Sequence, residues 1–328
     1  MTDLATTALG STGFHITRVG LGSWAIGGGG WVSAWGAQDD EQSVATIRHA
    51  VESGINWIDT AAVYGLGHSE EVVKKALSAF PEVDRPLVFT KGGMVWDEEN
   101  RRAPSRRVGD EATLRAQVEA SLRRLGVDAL DVYFMHWPAT DQPIEEVWST
   151  LLALKQEGKI RAAGLSNHDL DALERAEALG HVDVIQPSFS AVASAAADTV
   201  LPWAAHTGTG AVVYSPMGSG LLTGAFSRER VAALPEDDWR GRSAAFTTDL
   251  DANLAIADAM GVVAERRGTS RSAVAVAWTL GFPGVSAAIV GARGPEQLDD
   301  WLPAADARLG AEDYADIPAR RPASRVGT

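Results

Sequence analysis

The chain reads as an α/β protein made of parallel strand-helix units, and three observations carry that reading. Short apolar runs alternate with longer stretches of helical apolar spacing from Val19 almost to the end, which is the pattern of βα repeats. Eight runs have strand character, at 19–22, 55–59, 86–90, 129–135, 162–165, 183–186, 211–214 and 287–290, and eight strands fit a closed barrel. Gly54, Gly126, Gly158 and Gly180 each follow a helical run, where a left-handed terminating residue is commonly needed.

The elements follow in order. The segment TALGSTGFHITRVGLG holds turn residues Ser11 to Gly13 between two short extended pieces, and predicts a β-hairpin closing the bottom of the barrel. Helical spacing covers 41–53, 68–80, 111–125, 143–157, 168–179, 196–206 and 271–281, with Ser69 as an N-cap for the second helix. A helix at 253–267 looks like an insertion, and a last one starts near Pro295, a good first-turn residue. The long irregular stretches 23–40, 92–110 and 216–250 all follow strand ends, and loops of that length in a compact domain are usually functional or mobile. The glycine run 27–30 reads as a flexible loop element rather than a phosphate cradle, because no strand stands directly before it and no helix directly after. No linker or composition break divides the chain, so residues 1–328 are expected to form one domain.

Composition excludes several classes. A hydrophobic fraction of 45% and a charged fraction of 22% are those of a globular protein, and no stretch approaches the roughly 20 apolar residues needed to span a bilayer. A net charge of −14, with no basic tract, opposes nucleic-acid binding. The absence of cysteine rules out disulfides, thiolate catalysis and cysteine-bound zinc. The start, MTDLATTALG, lacks the basic and apolar regions of a secretory signal, so a cytoplasmic location is expected.

The chemistry concentrates at strand ends. Asp59, Tyr64, Lys91 and His136 lie at or just past the ends of three successive strands, in NWIDTAAVYG, LVFTKGG and LDVYFMHWP, so one pocket can hold all four. Lys91, one of five lysines against twenty-four arginines, ends the run Leu87, Val88, Phe89, Thr90 and asks for a partner. A lysine ammonium beside a phenol favours the phenolate, which would bring the Tyr64 acidity toward neutrality. Asp59 would hold Lys91 charged and aimed, and His136 could orient a substrate carbonyl or share its proton. Such a site protonates a developing alkoxide.

These residues, their strand order and the phrases around them resemble the aldo-keto reductase family over essentially the whole chain. GINWIDTAAVYGLGHSEEVVKKAL is similar to the family's second strand, catalytic tyrosine loop and second helix; DALDVYFMHWP to its fourth strand; GLSN and YSPMGSGLLTG to its cofactor-binding turns. The resemblance implies a (β/α)8 TIM barrel with long loops at its C-terminal face and metal-independent, reversible reduction of an aldehyde or ketone. NADPH/NADP+ is the implied cofactor and a small-molecule carbonyl the implied substrate. It implies Tyr64 as general acid, tuned by Lys91 and Asp59, with His136 orienting the carbonyl. Ser166, Asn167 and Gln186 match positions that bind the nicotinamide carboxamide, and Tyr214 the ring on which nicotinamide stacks. In the run from Ser215 through Pro216, Met217, Gly218, Ser219, Gly220, Leu221, Leu222 and Thr223 to Gly224, small residues let amides approach a pyrophosphate. Gly291, Ala292 and Arg293 match the turn that receives the adenosine 2'-phosphate, with Gln297 and Asp300 one or two helical turns on; a guanidinium there favours NADPH over NADH. Two departures stand out: Phe189 and Ser190 replace a frequent tyrosine and asparagine, and Trp301 a frequent asparagine near the adenine. The resemblance also extends to potassium-channel β subunits, so a cofactor-binding regulatory subunit with little turnover is the alternative function.

Tryptophans divide into two groups. Trp57, two residues before Asp59 on one strand, is expected in the barrel core, and Trp148, Trp278 and Trp301 in helix packing. Trp24, Trp31 and Trp35 after the first strand, Trp96 after the third and Trp137 beside His136 would surround the mouth of the site. Exposed aromatic faces suit apolar or ring-shaped ligands, so the expected substrate is bulky or cyclic: an aromatic aldehyde, a terpenoid-like ketone or a sugar-derived carbonyl. The histidines at 15, 49, 68, 168, 181 and 206 are expected on surfaces or at helix ends.

Overall fold

The structure, a computed structural model, describes residues 4–235 and 238–320. Strands β1 (Thr6–Ala8) and β2 (His15–Thr17) form an antiparallel hairpin. The barrel strands are β3 (Val19–Gly22), β4 (Trp57–Asp59) and β5 (Leu87–Gly92), then β8 (Leu130–Met135), β9 (Ile160–Ser166), β10 (Val184–Gln186), β11 (Gly210–Tyr214) and β12 (Ala287–Gly291). Between β5 and β8 a small antiparallel ribbon pairs β6 (Met94–Val95) with β7 (Arg106–Arg107). The eight barrel strands run parallel in chain order, and β12 returns to pair with β3, so the sheet closes.

Helices cover the outside: α1 (Asp40–Glu52), α2 (His68–Leu77), α3 (Glu111–Leu125), α4 (Ile144–Gln156), α5 (Leu170–Glu177) and α6 (Val200–Thr207), then the short α7 (Arg228–Ala232), α8 (Leu250–Arg267), α9 (Arg271–Leu280), α10 (Pro295–Trp301) and α11 (Ala311–Asp316). Asp39, Asp110, Asp169 and Ser270 accept amide hydrogen bonds at the starts of α1, α3, α5 and α9, satisfying donors that the first turn leaves free. Ser69 does not cap α2. It lies inside the first turn, fully buried, where its hydroxyl meets Ser23 Oγ at 2.8 Å and Thr60 Oγ1 at 3.0 Å. Gly54, Gly126 and Gly158 are left-handed as expected, but Gly180 is not. Gly180 is needed for closeness instead, because a Cβ there would stand 2.8 Å from Leu152 Cδ1.

The lumen explains the position of the site. Side chains alternate faces along a strand, so the inward residues of each strand form a stack. Trp57, Phe89, Val132, Phe134, Ala162, Val184, Val212 and Ala287 fill the lumen, joined from below by Leu9 and Ile16 of the hairpin region. The hairpin plugs the end of the barrel where the strands begin, and Trp57 Nε1 donates to Thr17 O at 2.9 Å. Gly20 makes room for this indole: a Cβ there would sit 2.1 Å from the Trp57 ring. Trp148, Trp278 and Trp301 are buried in the layer between barrel and helices.

One inward step above the apolar stack come the polar residues. Asp59 follows Trp57, Lys91 follows Phe89, His136 follows Phe134, Gln186 follows Val184 and Tyr214 follows Val212, each two positions on. Period-2 geometry therefore lifts five polar side chains from five strands into one layer at the C-terminal ends, the face on which barrels of this kind build their sites.

Candidate active site

Asp59 and Lys91 form the centre. Lys91 Nζ lies 2.5 Å from Asp59 Oδ1 and donates to Thr60 O at 2.8 Å, while Gln186 Nε2 donates to Asp59 Oδ2 at 2.9 Å. Both charged residues are buried, at 1% and 3% exposure. Burial pushes the Asp59 carboxyl up and the Lys91 ammonium down, and their mutual contact opposes both shifts.

Tyr64 sits in the turn after β4, in a short 3-10 segment Tyr64–Gly67. Lys91 Nζ stands 5.1 Å from its ring centroid, and the His136 ring meets it edge-on at 5.7 Å. The expectation that Lys91 lowers the phenol is not met. Burial, then Asp59, then Tyr214 hold Tyr64 well above its ordinary value, because the lysine charge is already spent on its contact with Asp59 at 2.5 Å. The resting phenol is thus firmly protonated. His136 is buried, and burial followed by the Lys91 charge pushes its imidazole well below the usual histidine range, so it is neutral. Its Nδ1 has no hydrogen-bond partner among the described residues.

The turn that carries Tyr64 is held from two loops. Gly27 and Gly65 touch through their backbones: a Cβ on Gly27 would lie 2.6 Å from Gly65 N, and one on Gly65 2.2 Å from Gly27 O. Arg101 Nη2 donates to Gly65 O at 3.1 Å. Gly27 is therefore a fixed contact rather than part of a free glycine run.

Next to this centre lies a chain of amide and hydroxyl groups. Asn167, with φ 63°, donates from Nδ2 to His136 O at 2.9 Å and to Ser166 Oγ at 3.0 Å; Ser166 Oγ donates to Gln186 O at 3.0 Å. Tyr214 Oη donates to Asn167 Oδ1 at 2.7 Å, which fixes a partly buried aromatic face beside the pocket. After β11 the backbone is left-handed at Ser215, Gly218, Ser219, Gly220 and Gly224. Pro216 and Leu221 are buried, and Leu221 packs on Phe226, Phe246 and Leu250, so what it offers the loop face is main chain. Met217 is half-buried against the main core. At the end of β12, Gly291 is exposed and Ala292 buried. Arg293 N donates to Gln297 Oε1 at 2.9 Å, and Asp300 O accepts from Ser270 Oγ at 2.6 Å. The Arg293 guanidinium bonds Gln38 Oε1 at 2.8 Å and the carbonyl of Ala37, and Gln38 Nε2 returns a bond to Arg293 O at 3.0 Å. A fixed aromatic face, a turn of small left-handed residues and a terminal guanidinium lie on neighbouring strand ends, an arrangement that fits an extended nicotinamide dinucleotide.

The five tryptophans do not act alike. The Trp24 ring stacks on Tyr64 at 6.1 Å and on Trp239 at 6.3 Å, and Trp35 meets both Trp24 and Trp239 edge-on, at 5.2 and 5.6 Å. Arg240 lies 5.1 Å from the Trp35 ring and is clamped by Asp238 at 2.6 Å. Trp31 departs from the expectation. It is 6% exposed, packs on Ala61 and Val63, and donates to Gly28 O at 3.1 Å, so it builds the loop instead of lining the mouth. Trp96 joins that packing from its edge and donates to Glu98 Oε1 at 2.9 Å. Trp137 lies under Arg107, 4.7 Å from its guanidinium carbon. Trp239 was not singled out from the sequence; its loop has no periodicity, and only the aromatic itself gave a signal.

Among the described residues no group of three histidine, cysteine or acidic side chains could hold a metal ion, and no helix is long and apolar enough to cross a membrane. His168 is buried, its Nδ1 donates to Ser166 O at 2.9 Å, and burial pushes its imidazole down to about 4.

Comparison with known proteins agrees with this geometry. The family model for the Aldo/keto reductase family matches residues 18–320. The chain belongs to the aldo-keto reductase family. It is 35% identical over 315 residues to the aldo-keto reductase YhdN of Bacillus subtilis strain 168, covering 95% of this chain and 92% of that one. It is 40% identical over 235 residues to the NADH-specific methylglyoxal reductase of Escherichia coli K12, covering 68% and 70%. Among solved structures, the glycerol dehydrogenase AKR11B4 from Gluconobacter oxydans superposes with a TM-score of 0.87 at 34% identity, covering 98% of each chain. Members of this aldo-keto reductase family are oxidoreductases that act on carbonyl and alcohol groups with a nicotinamide cofactor, and the fold is the (β/α)8 barrel.

Proposed function

We propose that this aldo-keto reductase reduces an aldehyde or ketone to an alcohol with Tyr64 as the general acid and NADPH as the cofactor. The observation that carries the reading is the buried Asp59–Lys91 contact of 2.5 Å with Tyr64 and His136 packed against it. When bound, the nicotinamide supplies a hydride. The chain does the rest. Tyr214, pinned by Asn167 at 2.7 Å, presents the ring face on which the nicotinamide lies; Ser166, Asn167 and Gln186 provide polar groups for its carboxamide. His136, held neutral, orients the carbonyl oxygen with a hydrogen bond, so the oxygen stays close to the phenol. Tyr64 keeps its proton until negative charge develops on that oxygen, then donates it. The Lys91 ammonium beside the ring stabilises the phenolate left behind, and Asp59 keeps Lys91 in place. Fixed groups aimed at developing charge account for most of such a rate.

Small residues from Ser215 to Gly224 would admit the pyrophosphate, and Gly291, Ala292 and Arg293, with Gln297 and Asp300 nearby, the 2'-phosphate end. Arg293 supports NADPH over NADH, because a guanidinium pairs with a phosphate dianion; one relative is named as NADH-specific. For the substrate we favour a carbonyl carrying an apolar or cyclic group that stacks on Trp24, with Trp35 and Trp239 behind it. A second reading, a compact three-carbon carbonyl, is favoured by the names of the methylglyoxal reductase and glycerol dehydrogenase relatives.

NADPH oxidation is followed over a panel running from methylglyoxal to aromatic and cyclic carbonyls, for wild type, Tyr64→Phe and Trp24→Ala, with cofactor Kd read by tryptophan fluorescence. Tyr64→Phe is expected to lower kcat by about 10²- to 10⁴-fold with Kd unchanged. Wild-type rates in this variant would remove the assignment of the acid. Turnover of no carbonyl despite tight NADPH binding would instead favour a regulatory subunit. Trp24→Ala should raise KM for cyclic substrates and spare methylglyoxal.

A further inference from the structure

Behind β5, on the helix side of the barrel, lies a buried acid that the chemistry above does not use. Glu70, in the first turn of α2, is 0% exposed. Its Oε1 accepts from Thr90 Oγ1 at 2.6 Å, and its Oε2 accepts from Arg124 Nε of α3 at 2.6 Å. Arg124 is itself braced by Ser121 Oγ at 3.3 Å. Thr90 directly precedes Lys91, so the two side chains leave the strand on opposite faces, Thr90 toward α2 and Lys91 into the lumen. An acid in the first turn of a helix ordinarily faces water and complements the dipole. Glu70 has given up water for two hydrogen bonds, and a buried ion pair is seldom more stable than apolar packing of the same volume. Its burial asks for a role that packing does not provide.

We propose that Glu70 is a positioning residue for Lys91: from outside the barrel it ties down Thr90, and with it the end of β5, and it sets a second negative charge across the strand from Asp59. Lys91 then lies between two carboxylates, Asp59 in front and Glu70 behind. The inference rests on the reading of Tyr64 and Lys91 as the proton-donating pair. Both carboxylates favour the charged form of Lys91, against the burial that disfavours it. The other groups facing Lys91 are the Thr60 carbonyl, the Tyr64 ring and the neutral His136. Those facing Glu70 are Thr90, Arg124 and Tyr133, whose phenol is pushed up by burial and by Glu70 and has no hydrogen-bond partner among the described residues. The neighbouring first-turn residue Ser69 bonds Thr60 and Ser23. The start of α2 therefore grips β3, the end of β4 and β5 together, directly after the turn that carries Tyr64.

Lys91 is one of five lysines, so its 13Cε resonance can be assigned in lysine-labelled protein by comparison with Lys91→Met. The test titrates this resonance, and records kcat against pH, in wild type, Glu70→Gln, Glu70→Asp and the neutral pair Glu70→Gln with Arg124→Gln. The expected result is that the Lys91 titration and the basic limb of kcat both move to lower pH by roughly one unit in Glu70→Gln. The double variant should move likewise, with cofactor Kd and KM unchanged, while Glu70→Asp should return most of the shift. A double variant that melts like wild type and keeps the wild-type lysine titration and pH limb would overturn the proposal. If Tyr64→Phe still abolished turnover, the functional reading would survive that failure; wild-type turnover in Tyr64→Phe would overturn both.

Discussion

The polar layer at the barrel's rim and the aromatic mouth above it are built by opposite means. In the rim, short bonds between charged, amide and hydroxyl groups link residues from the ends of five different strands, from Lys91 through Asp59 across the barrel to Gln186 and from Ser166 through Asn167 to Tyr214. In the mouth, contacts are ring on ring at 5.2 to 6.3 Å, made by Trp24, Trp35 and Trp239 from two long loops. A directional bond in a dry site holds geometry tightly, whereas an aromatic pair adds only about 0.5–1.5 kcal/mol beyond its buried area and tolerates sliding. The rim is thus suited to fixed chemistry and the mouth to choice among substrates.

The sharpest way to break that contrast is Lys91→Met. It leaves Asp59 buried without its cation, and unfolding stability should fall by about 3–5 kcal/mol, read from denaturant midpoints; adding Asp59→Asn should return most of it. A loss under about 1 kcal/mol would mean that the rim is no more tightly bound than the mouth. Acid provides a second probe. The imidazoles of His136 and His168 are neutral in the fold, the latter down at about 4. Between that value and the unfolded one near 6.5, the unfolded chain holds the extra proton, so stability falls as pH is lowered through this window by about 1.4 kcal/mol per unit for each histidine. Denaturation at pH 7, 6 and 5 should show that slope, reduced in His168→Asn; a flat profile would show these imidazoles protonated in the folded state.

For the mouth, Trp239→Ala should cost stability only about 1 kcal/mol and raise KM for cyclic carbonyls about tenfold, an amount equal to about 1.4 kcal/mol, with kcat on methylglyoxal unchanged. Equal losses on both substrates would make Trp239 a prop for the turn of Tyr64 rather than a selector. The smallest effect is expected at Gln38→Ala. The Arg293 guanidinium is bonded to Gln38 and Ala37, and a 2'-phosphate must compete for it, so removing the amide should tighten NADPH a few-fold, under about 1 kcal/mol, and leave NADH untouched.

What could be read from the amino acids alone follows the same division. Strand residues carry a period of two, so Asp59, Lys91 and His136 announced themselves as polar endings to apolar runs, and the lumen position of Trp57 followed from its spacing to Asp59. Loops carry no period. Trp31 is expected at the mouth and Trp239 carries no expectation, yet Trp31 supports its own loop and Trp239 stacks on Trp24. Gln38 and Arg293 are 255 residues apart, and nothing local to either marks the pair. Ser69 reads as a helix cap and Glu70 carries no signal, because a helix start that faces water and one that faces a barrel share the same composition. The direction of the Tyr64 shift depended on how closely Lys91 was already paired with Asp59, a distance that spacing does not encode.

The backbone contact between Gly27 and Gly65 has a practical consequence for retooling the enzyme. A methyl group at either position would collide with main chain that cannot turn aside, so the two glycines mark where the first loop is riveted to the tyrosine turn. Beyond the rivet, Gly28, Gly30 and Gly36 have open space around them but left-handed backbone, with φ of 73°, 81° and 88°, which a side chain would strain. A recut of residues 28–36 for new cargo therefore has to keep these glycines and the packing of Trp31 on Ala61 and Val63, so that the turn of Tyr64 stays where it is.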